Sequence, residues 1–206
     1  MGQSALLDAA AALSTIMDLK KGRLAVCTDT HRHRLSDMAD LFADEDARAA
    51  AETAEDATVY EVYRTEPTDQ PPESALCYAA TVVSAGRIGD EYYMTRGHAH
   101  RNGEAPEIYF GVRGQGMMLL QTDDYQVQAL AMTPGTVLYV PGATAHRLAN
   151  TGDELLVTFA VYPAAAGISY DMVTQHGFKR ILVATPSGPD LVPNPRFRSD
   201  ELGREP

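Results

Sequence analysis

Apolar and polar residues alternate at short intervals along most of the chain after Val59. Stretches such as VYEVYRT, EIYFGVRGQG and ELLVTFAVYP are rich in Val, Tyr, Ile and Leu, and their period of two is typical of half-buried β-strands. Turn signals separate these stretches, for example at Pro134–Gly135 and Gly152–Asp153. Many short strands at this spacing predict an all-β protein built as an antiparallel sandwich or barrel.

The part of the chain before residue 58 has a different pattern. Apolar residues from Leu6 to Met17 fall at helical spacing and predict an amphipathic helix. The acidic, alanine-rich segment that follows predicts two short helices, around 36–43 and 44–55. We therefore predict a helical N-terminal extension over residues 1–57 that packs on the barrel, a barrel domain over residues 58–198, and a tail over residues 199–206.

Composition and charge narrow the possible partners. The 206 residues, 45% hydrophobic and 22% charged, are typical of one soluble globular domain. A formal net charge of -11 argues against a nucleic-acid-binding protein, although backbone N–H groups can hold a phosphate on an acidic protein.

No apolar stretch is long enough to span a bilayer, and no basic region precedes the first apolar segment as in a secretory signal. We expect a cytoplasmic protein whose Cys27 and Cys77 are reduced.

Three histidines and one glutamate are the candidate functional residues. His98 and His100 are two residues apart, so on a strand both point to the same face. Glu107 and His146 would complete the site from neighbouring strands. Imidazole nitrogens with one carboxylate suit Fe, Mn, Ni, Cu or Zn. The sequence therefore predicts a metal site formed by His98, His100, Glu107 and His146.

Other histidines and a second glutamate are rivals for these roles. Glu104 lies close to Glu107, but it falls in a polar turn, whereas Glu107 opens the strand EIYF. A second H-x-H, His31 and His33, has no carboxylate or strand-rich segment after it and is interpreted as a solvated basic segment. We interpret His176 as a surface or packing residue.

Two sequence motifs surround the candidate ligands. The first is G-H-x-H-x6-E-x6-G, from Gly97 to Gly114, and the second is G-x5-P-x4-H-x3-N, from Gly135 to Asn150. This pair resembles the two motifs of the cupin superfamily, which implies a double-stranded β-helix, or jelly-roll barrel, with a metal ion inside. Ala143 stands where cupins commonly have glycine.

Longer stretches make the resemblance more specific. They are RLSDM (34–38), VYEVY (59–63), TVVSAGRIGDEYYMTRGHAH (81–100), EIYFGVRGQGMMLLQT (107–122), MTPGTVLYVP (132–141), AHRLANTGDE (145–154), AVYPAAAG (160–167) and NPRF (194–197). All are similar to the cupin-type glucose-6-phosphate isomerases of archaea and some bacteria. The resemblance implies a metal-dependent aldose–ketose isomerase of glycolysis and gluconeogenesis. It also implies one divalent Fe, Mn, Ni or Zn ion per subunit, a sugar-phosphate substrate and a homodimer.

The resemblance assigns further roles. Glu107 is the leading candidate for the base that carries a proton between C1 and C2, with Tyr162 as its assistant; a metal-assisted hydride shift is the alternative route. The match also places Thr81, Thr95 and Gly97 at the substrate phosphate and Tyr109 and Tyr170 near the sugar. Hydroxyl groups and a glycine backbone N–H are suitable phosphate ligands.

One departure from the family concerns the substrate. The family usually has A-G-H-D-Y where this chain has the run from Ala166 to Tyr170, with Ile168 in place of the histidine and Ser169 in place of the acid. An aliphatic side chain neither donates a hydrogen bond nor carries a proton. Two alternatives therefore stay open: an isomerase for another sugar phosphate such as mannose 6-phosphate or a modified hexose, and a non-catalytic sugar-binding cupin. The three-histidine, one-glutamate set leaves a third, a metal cupin with oxygenase or other small-molecule chemistry, because the same ligands also serve there.

Overall fold

The computed structural model describes residues 13–68 and 71–199. Strands dominate these residues. They are β1 (Met17–Asp18), β2 (Arg23–Leu24), β3 (Asp29–Arg34), β4 (Thr58–Thr65), β5 (Leu76–Val83), β6 (Arg87–Ile88), β7 (Glu91–Tyr92), β8 (Ala99–His100), β9 (Glu107–Arg113), β10 (Gly116–Thr122), β11 (Val127–Met132), β12 (Val137–Val140), β13 (Thr144–Asn150), β14 (Leu156–Pro163), β15 (Ile168–Ser169), β16 (Arg180–Thr185) and β17 (Gly188–Pro193).

Two antiparallel sheets form the body of the fold. The larger has the order β12-β9-β14-β5-β4-β3 and the smaller the order β11-β10-β13. Val83, Tyr109 and Leu138 of the larger sheet share one hydrophobic cluster with Met118 and Leu148 of the smaller. The core therefore lies between the two sheets, and the predicted all-β cupin jelly roll is confirmed.

The helical content is small. A 3-10 helix spans Leu35–Met38 and helix α1 spans Glu45–Ala54, followed much later by a 3-10 turn at Ala164–Ala166 and the short helix α2 (Asp171–Gln175). Of the two helices predicted around 36–43 and 44–55, the first is only a single 3-10 turn, whereas the second is α1. The Asp44 carboxylate caps α1 by accepting a hydrogen bond from the Ala47 N–H at 2.9 Å.

The predicted helical extension over residues 1–57 is wrong in part, because strands β1 to β3 fall inside it. Strand β3 pairs with β4 from Asp29 opposite Arg64 to His33 opposite Tyr60, so the larger sheet begins well before residue 58. The run THRHR offers no apolar alternation, and its partner strand lies about thirty residues further along the chain. The helix predicted from Leu6 to Met17 lies mostly outside the described residues, and Met17 itself is in β1.

The segment between β3 and β4 is fastened to the barrel by apolar side chains. Leu35, Met38 and Phe42 are almost completely buried in the same cluster as the sheet residues. Removing each of them from water stabilises the fold by roughly 1.5–3 kcal/mol. Arg48 of α1 is also buried, and its guanidinium donates to the Leu35 carbonyl oxygen at 2.7 Å.

Two further predictions concern the cysteines and membrane-spanning segments. Cys27 and Cys77 are free thiols, as predicted. Among the residues that the structure describes, no helix has the length and apolar character needed to cross a membrane.

Candidate metal centre and active site

The four predicted ligands come together between the two sheets. His98 and His146 are joined through their backbones, because each N–H donates to the other residue's carbonyl oxygen, at 3.1 and 2.8 Å. The ligand atoms of His98, His100, Glu107 and His146 all lie within 4.8 Å of one another. Glu104, the rival carboxylate, is exposed in the turn before β9. The cluster therefore has the three nitrogens and one oxygen that suit a divalent transition metal.

Backbone carbonyl groups orient two of these imidazoles. The Nδ1 atoms of His100 and His146 lie 2.8 and 3.1 Å from the carbonyl oxygens of Ala105 and Thr144, so each Nδ1 carries the proton. In the neutral rings the Nε2 lone pairs then face Glu107 Oε2, at 3.2 and 3.0 Å. The two Nε2 lone pairs and the Glu107 oxygen are all hydrogen-bond acceptors, and such groups repel one another unless a cation lies between them. The donor set therefore fits a metal ion.

The charge states of these groups also suit a metal. Burial alone would raise the pKa of Glu107, but its close contacts with the His100 and His146 rings lower it to about 2. Burial lowers the pKa of His98 to about 3, and the neighbouring His146 contributes to this shift. Metal ligands must be a carboxylate and neutral imidazoles, so Glu107 and His98 are already in the required forms at neutral pH.

A cavity of about 670 Å³ opens beside the ligands. It is lined by every residue that the sequence assigns to the site, namely Thr81, Thr95, Gly97, His98, His100, Glu107, Tyr109, His146, Tyr162 and Tyr170. Its size falls within the usual range for small-molecule sites. The structure thus brings the whole predicted set together, while the individual roles stay predictions.

Alternation along strand β9 explains how one face reaches the cavity. Glu107 and Tyr109 point inward and are 4% and 6% exposed, whereas Ile108 and Phe110 point outward. Burial raises the pKa of Tyr109 well above its ordinary value, and the Glu107 carboxylate adds to the shift. Burial likewise raises the pKa of Tyr162. Both phenols therefore stay protonated and face the cavity as hydrogen-bond donors.

The turn from Thr95 to Gly97 forms another wall of the cavity. Gly97 has φ +81°, and a Cβ there would lie 2.8 Å from the Phe178 ring, so no other residue fits without strain. The Thr95 hydroxyl oxygen accepts a hydrogen bond from the Leu148 N–H at 3.1 Å, which leaves its own hydrogen free to donate. Arg147 stabilises the turn by donating a 2.7 Å hydrogen bond to the Arg96 carbonyl oxygen.

Sequence reasoning missed several residues that line the same cavity. The interpretation of His31 and His33 as a solvated segment fits His31, which is exposed, but is wrong for His33, which is half-buried; both lie on β3 at the cavity wall. The His33 ring stacks on the Tyr60 ring at 4.2 Å between centroids. Arg96 also lines the cavity, with its guanidinium 4.7 Å from the centre of the Tyr170 ring. The H-x-H spacing indicated only that the two side chains share one face of a strand, not that this face is the inner one.

Ile168 lies at the position that departs from the family. It pairs with His100 through the short ladder of β15 and β8, and its side chain lines the cavity close to the ligands. Ser169 instead donates a hydrogen bond to the Asp171 carboxylate at the start of α2. The wall at residue 168 is therefore apolar.

The turn before His146 keeps its shape without the expected glycine. Ala143 adopts φ +53°, in the left-handed region that glycine favours. At Gly142 a Cβ would lie 2.1 Å from the Gly103 carbonyl oxygen. The turn therefore needs glycine at 142 because of close contact, and tolerates alanine at 143 at the cost of strain.

Comparison with known proteins agrees with this geometry. Residues 32–189 match the family described as glucose-6-phosphate isomerase (GPI). Glucose-6-phosphate isomerase of Pyrococcus horikoshii is 40% identical over 166 residues, which cover 81% of this chain and 87% of the relative. The enzyme of that name from Thermococcus kodakarensis is 41% identical over 80% and 86% of the two chains, and that of Sinorhizobium medicae is 39% identical over 81% and 78%. The chain therefore belongs to the cupin-type glucose-6-phosphate isomerase family.

Proposed function

We propose that the protein is a metal-dependent aldose–ketose isomerase that interconverts glucose 6-phosphate and fructose 6-phosphate. The observation that carries the proposal is the three-histidine, one-glutamate cluster in the wall of a cavity of about 670 Å³. A hexose phosphate matches such a cavity in size. The relatives that share most of the chain are named for this reaction.

The proposed cofactor is one divalent ion, Fe, Mn, Ni or Zn, held by His98, His100, Glu107 and His146. When bound, such an ion acts as a Lewis acid that polarises carbonyl and hydroxyl oxygens. The sugar would therefore lie with C1 and C2 near the ligands. Tyr109 and Tyr162, as protonated phenols, would donate hydrogen bonds to sugar oxygens where negative charge develops.

Isomerisation moves one hydrogen between C1 and C2 and one proton between the oxygens that these two carbons carry. In the proton-transfer route Glu107 takes the proton from one carbon and returns it to the other, with Tyr162 as the neighbouring proton donor. The low pKa of Glu107 makes its carboxylate a weak base. In the alternative route the hydrogen moves as a hydride, and Glu107 only orients the sugar.

The opposite end of the substrate carries the phosphate. We assign it to Thr81, Thr95 and Gly97, since two hydroxyl groups and a backbone N–H at a left-handed turn form an anion-binding group. Tyr170 would close this end over the sugar, because its ring lies 6.4 Å from that of His98 and under Arg96.

The apolar wall at Ile168 favours a second candidate within the same reaction class. Mannose 6-phosphate or a modified hexose phosphate could differ from glucose 6-phosphate at the atoms that face this wall. Such a sugar would lose less binding free energy against an apolar wall than against a polar residue. Assays with a panel of hexose phosphates would rank these substrates. Metal binding without turnover of any of them would instead support the non-catalytic sugar-binding alternative, and oxygen uptake would support the oxygenase alternative.

The test of the proposed function uses Glu107→Ala. We expect the metal-loaded protein to convert fructose 6-phosphate to glucose 6-phosphate in a coupled assay, and the variant to lose this activity. Glu104→Ala is the matched control, because it removes an exposed carboxylate three residues away. Undiminished turnover in Glu107→Ala would refute the assignment.

We also propose a cytoplasmic homodimer. Ile108, Phe110, Val137 and Tyr139 are 47%, 43%, 71% and 60% exposed and form one patch on the outer face of β9 and its edge neighbour β12. Apolar patches of this kind at a sheet edge favour a protein partner, and a second copy of the chain is the commonest one.

A further inference from the structure

Strand β3 presents two different faces. Arg32 points away from the cavity and pairs with Glu61, with its Nη2 2.8 Å from the carboxylate. His31 and His33 are on the other face and line the cavity. The strand thus adds imidazole groups to the site that the metal centre does not use.

The two imidazoles have different surroundings. His31 is engaged by the Asp29 carboxylate, 2.6 Å from its Nε2, which compensates any positive charge on the ring. His33 is half-buried, stacks nearly parallel to Tyr60 with an interplanar angle of 14°, and has Asp37, His31 and Arg96 as its ionisable neighbours. His33 is therefore the imidazole free to take a cavity ligand.

The same end of the cavity carries a second basic group. Arg96 reaches the cavity beside Thr95 and Gly97, and its Nε is buried without a hydrogen-bond partner among the described residues. A buried donor of this kind calls for an acceptor. Arg96 and His33 thus concentrate basic groups at one end of the cavity of a protein whose net charge is -11.

We propose that His33 is a specificity-determining residue for the substrate phosphate, binding its oxygens together with Arg96 and taking up a proton from solvent as the dianion enters. This inference rests on the proposed sugar-phosphate function. It adds an ionisable ligand to the hydroxyl and backbone groups of Thr81, Thr95 and Gly97.

Electrostatics gives the direction of the coupling between protonation of His33 and binding of the anion. In the protein without an anion, burial lowers the pKa of His33, Asp37 opposes that shift, and the neighbouring His31 and Arg96 add to it. His33 is therefore mostly neutral at neutral pH. A dianion beside the ring favours the imidazolium form, so proton binding and anion binding strengthen each other. Anion affinity consequently falls as pH rises through the pKa of His33 in the complex.

Sulfate is the probe for this coupling, because it remains a dianion throughout the pH range in which histidine titrates. We would titrate the full-length, metal-loaded protein with sulfate by calorimetry between about pH 5.5 and pH 8, in two buffers of different ionisation enthalpy. At the steepest point we expect sulfate to bind about tenfold more tightly for each unit by which the pH is lowered, with uptake of up to one proton.

Three variants separate a direct role from a general charge effect. His33→Gln should bind sulfate about tenfold more weakly at the acidic end and without pH dependence. His33→Arg, with a permanent cation, should bind tightly at both ends without proton uptake. Arg32→Gln removes a cation from the opposite face of the same strand and should keep the wild-type pH dependence. Circular dichroism and metal content identify any variant that fails to fold.

The outcomes distinguish this inference from the proposed function. Sulfate binding requires no turnover, so the coupling can be found in a protein that fails to isomerise fructose 6-phosphate; that result would reject the isomerase and retain His33 as an anion ligand. An active isomerase in which His33→Gln keeps the wild-type pH dependence of sulfate binding would overturn the role of His33.

Discussion

Arg147 holds Arg96 in place, because its guanidinium donates a 2.7 Å hydrogen bond to the Arg96 carbonyl oxygen. The same guanidinium lies 4.5 Å from the centre of the Phe178 ring, and the residue is 2% exposed. Phe178 and Arg147 are also the side chains that a Cβ at Gly97 would meet. A buried cation therefore fixes the backbone of the turn that we assign to phosphate binding.

A substitution at Arg147 should consequently affect substrate binding more than chemistry. Arg147→Lys keeps the charge but loses the planar fork that packs on Phe178 and donates to the turn. We expect KM for fructose 6-phosphate to rise about tenfold while kcat changes less than about twofold. Arg180→Lys is the control, since Arg180 is an exposed arginine that donates to the Leu191 carbonyl oxygen. Loss of bound metal in Arg147→Lys would show instead that Arg147 acts through His146.

Metal binding should stabilise the fold. Because the four ligands come from three segments of the chain, at His98 and His100, at Glu107 and at His146, an ion that they share binds the folded state selectively. At a free concentration about 100-fold above the dissociation constant, it contributes about 2.7 kcal/mol. This corresponds to a rise in Tm of about 5–10 °C.

Thermal unfolding with and without a chelator measures that difference. His146→Ala should abolish the metal-dependent rise, whereas His176→Gln, at a histidine outside the cavity, should keep it. An equal rise in His146→Ala and wild type would contradict ligation by His146.

Glu91 predicts a pH dependence of stability. Its side chain is buried on β7 and accepts a hydrogen bond from the Ala43 N–H at 2.8 Å. Burial raises its pKa from 4.5 to about 7, although the Ala43 N–H and Arg147 oppose the shift. Between these values the folded protein binds more protons than the unfolded chain, so the Glu91 contribution to stability falls as pH rises from 4.5 to about 7. The total loss is about 3 kcal/mol.

Urea unfolding of wild type and Glu91→Gln at several pH values isolates this contribution. The free energy of unfolding of the variant minus that of wild type should increase by about 3 kcal/mol from below pH 4.5 to above pH 7. Glu104→Gln, an exposed glutamate, should give a difference that does not vary with pH. A constant difference for Glu91→Gln would show that Glu91 ionises normally.

The apolar patch on β9 and β12 predicts the effect of a surface charge on assembly. A lysine at Phe110 would be buried without a partner in an interface between two copies, which costs several kcal/mol. We expect Phe110→Lys to convert a dimer to a monomer in sedimentation velocity. Gln128→Lys places the same charge on an exposed position of β11 and should leave the mass unchanged. A monomeric wild-type protein would reject the dimer.

The metal centre could be predicted from the sequence because its geometry is largely local. The two-residue period of a strand puts His98 and His100 on one face, and the same period puts Glu107 and Tyr109 inside. Only His146 required a pairing between distant segments, and the glycine and proline around it supplied that signal.

The inner face of β3 could not be predicted in the same way. Whether His33 faces solvent or the cavity depends on the pairing of β3 with β4, which basic and polar residues do not reveal. The buried charges of Glu91 and Arg147 are similar cases, since hydrophobic patterning assigns charged residues to the surface. Long-range packing decides all three positions.

The turn before His146 shows which features of a sequence motif are interchangeable. At residue 143 the requirement is a left-handed backbone, and alanine meets it with about 1 kcal/mol of strain. Alanine also restricts the unfolded chain by a similar amount relative to glycine, so the two residues leave nearly the same net stability. At residue 142 the requirement is empty space, because a Cβ would lie 2.1 Å from the Gly103 carbonyl oxygen. Lineages of this fold can therefore exchange glycine and alanine at 143 almost neutrally, whereas a mutation at 142 would displace the loop that precedes Glu107.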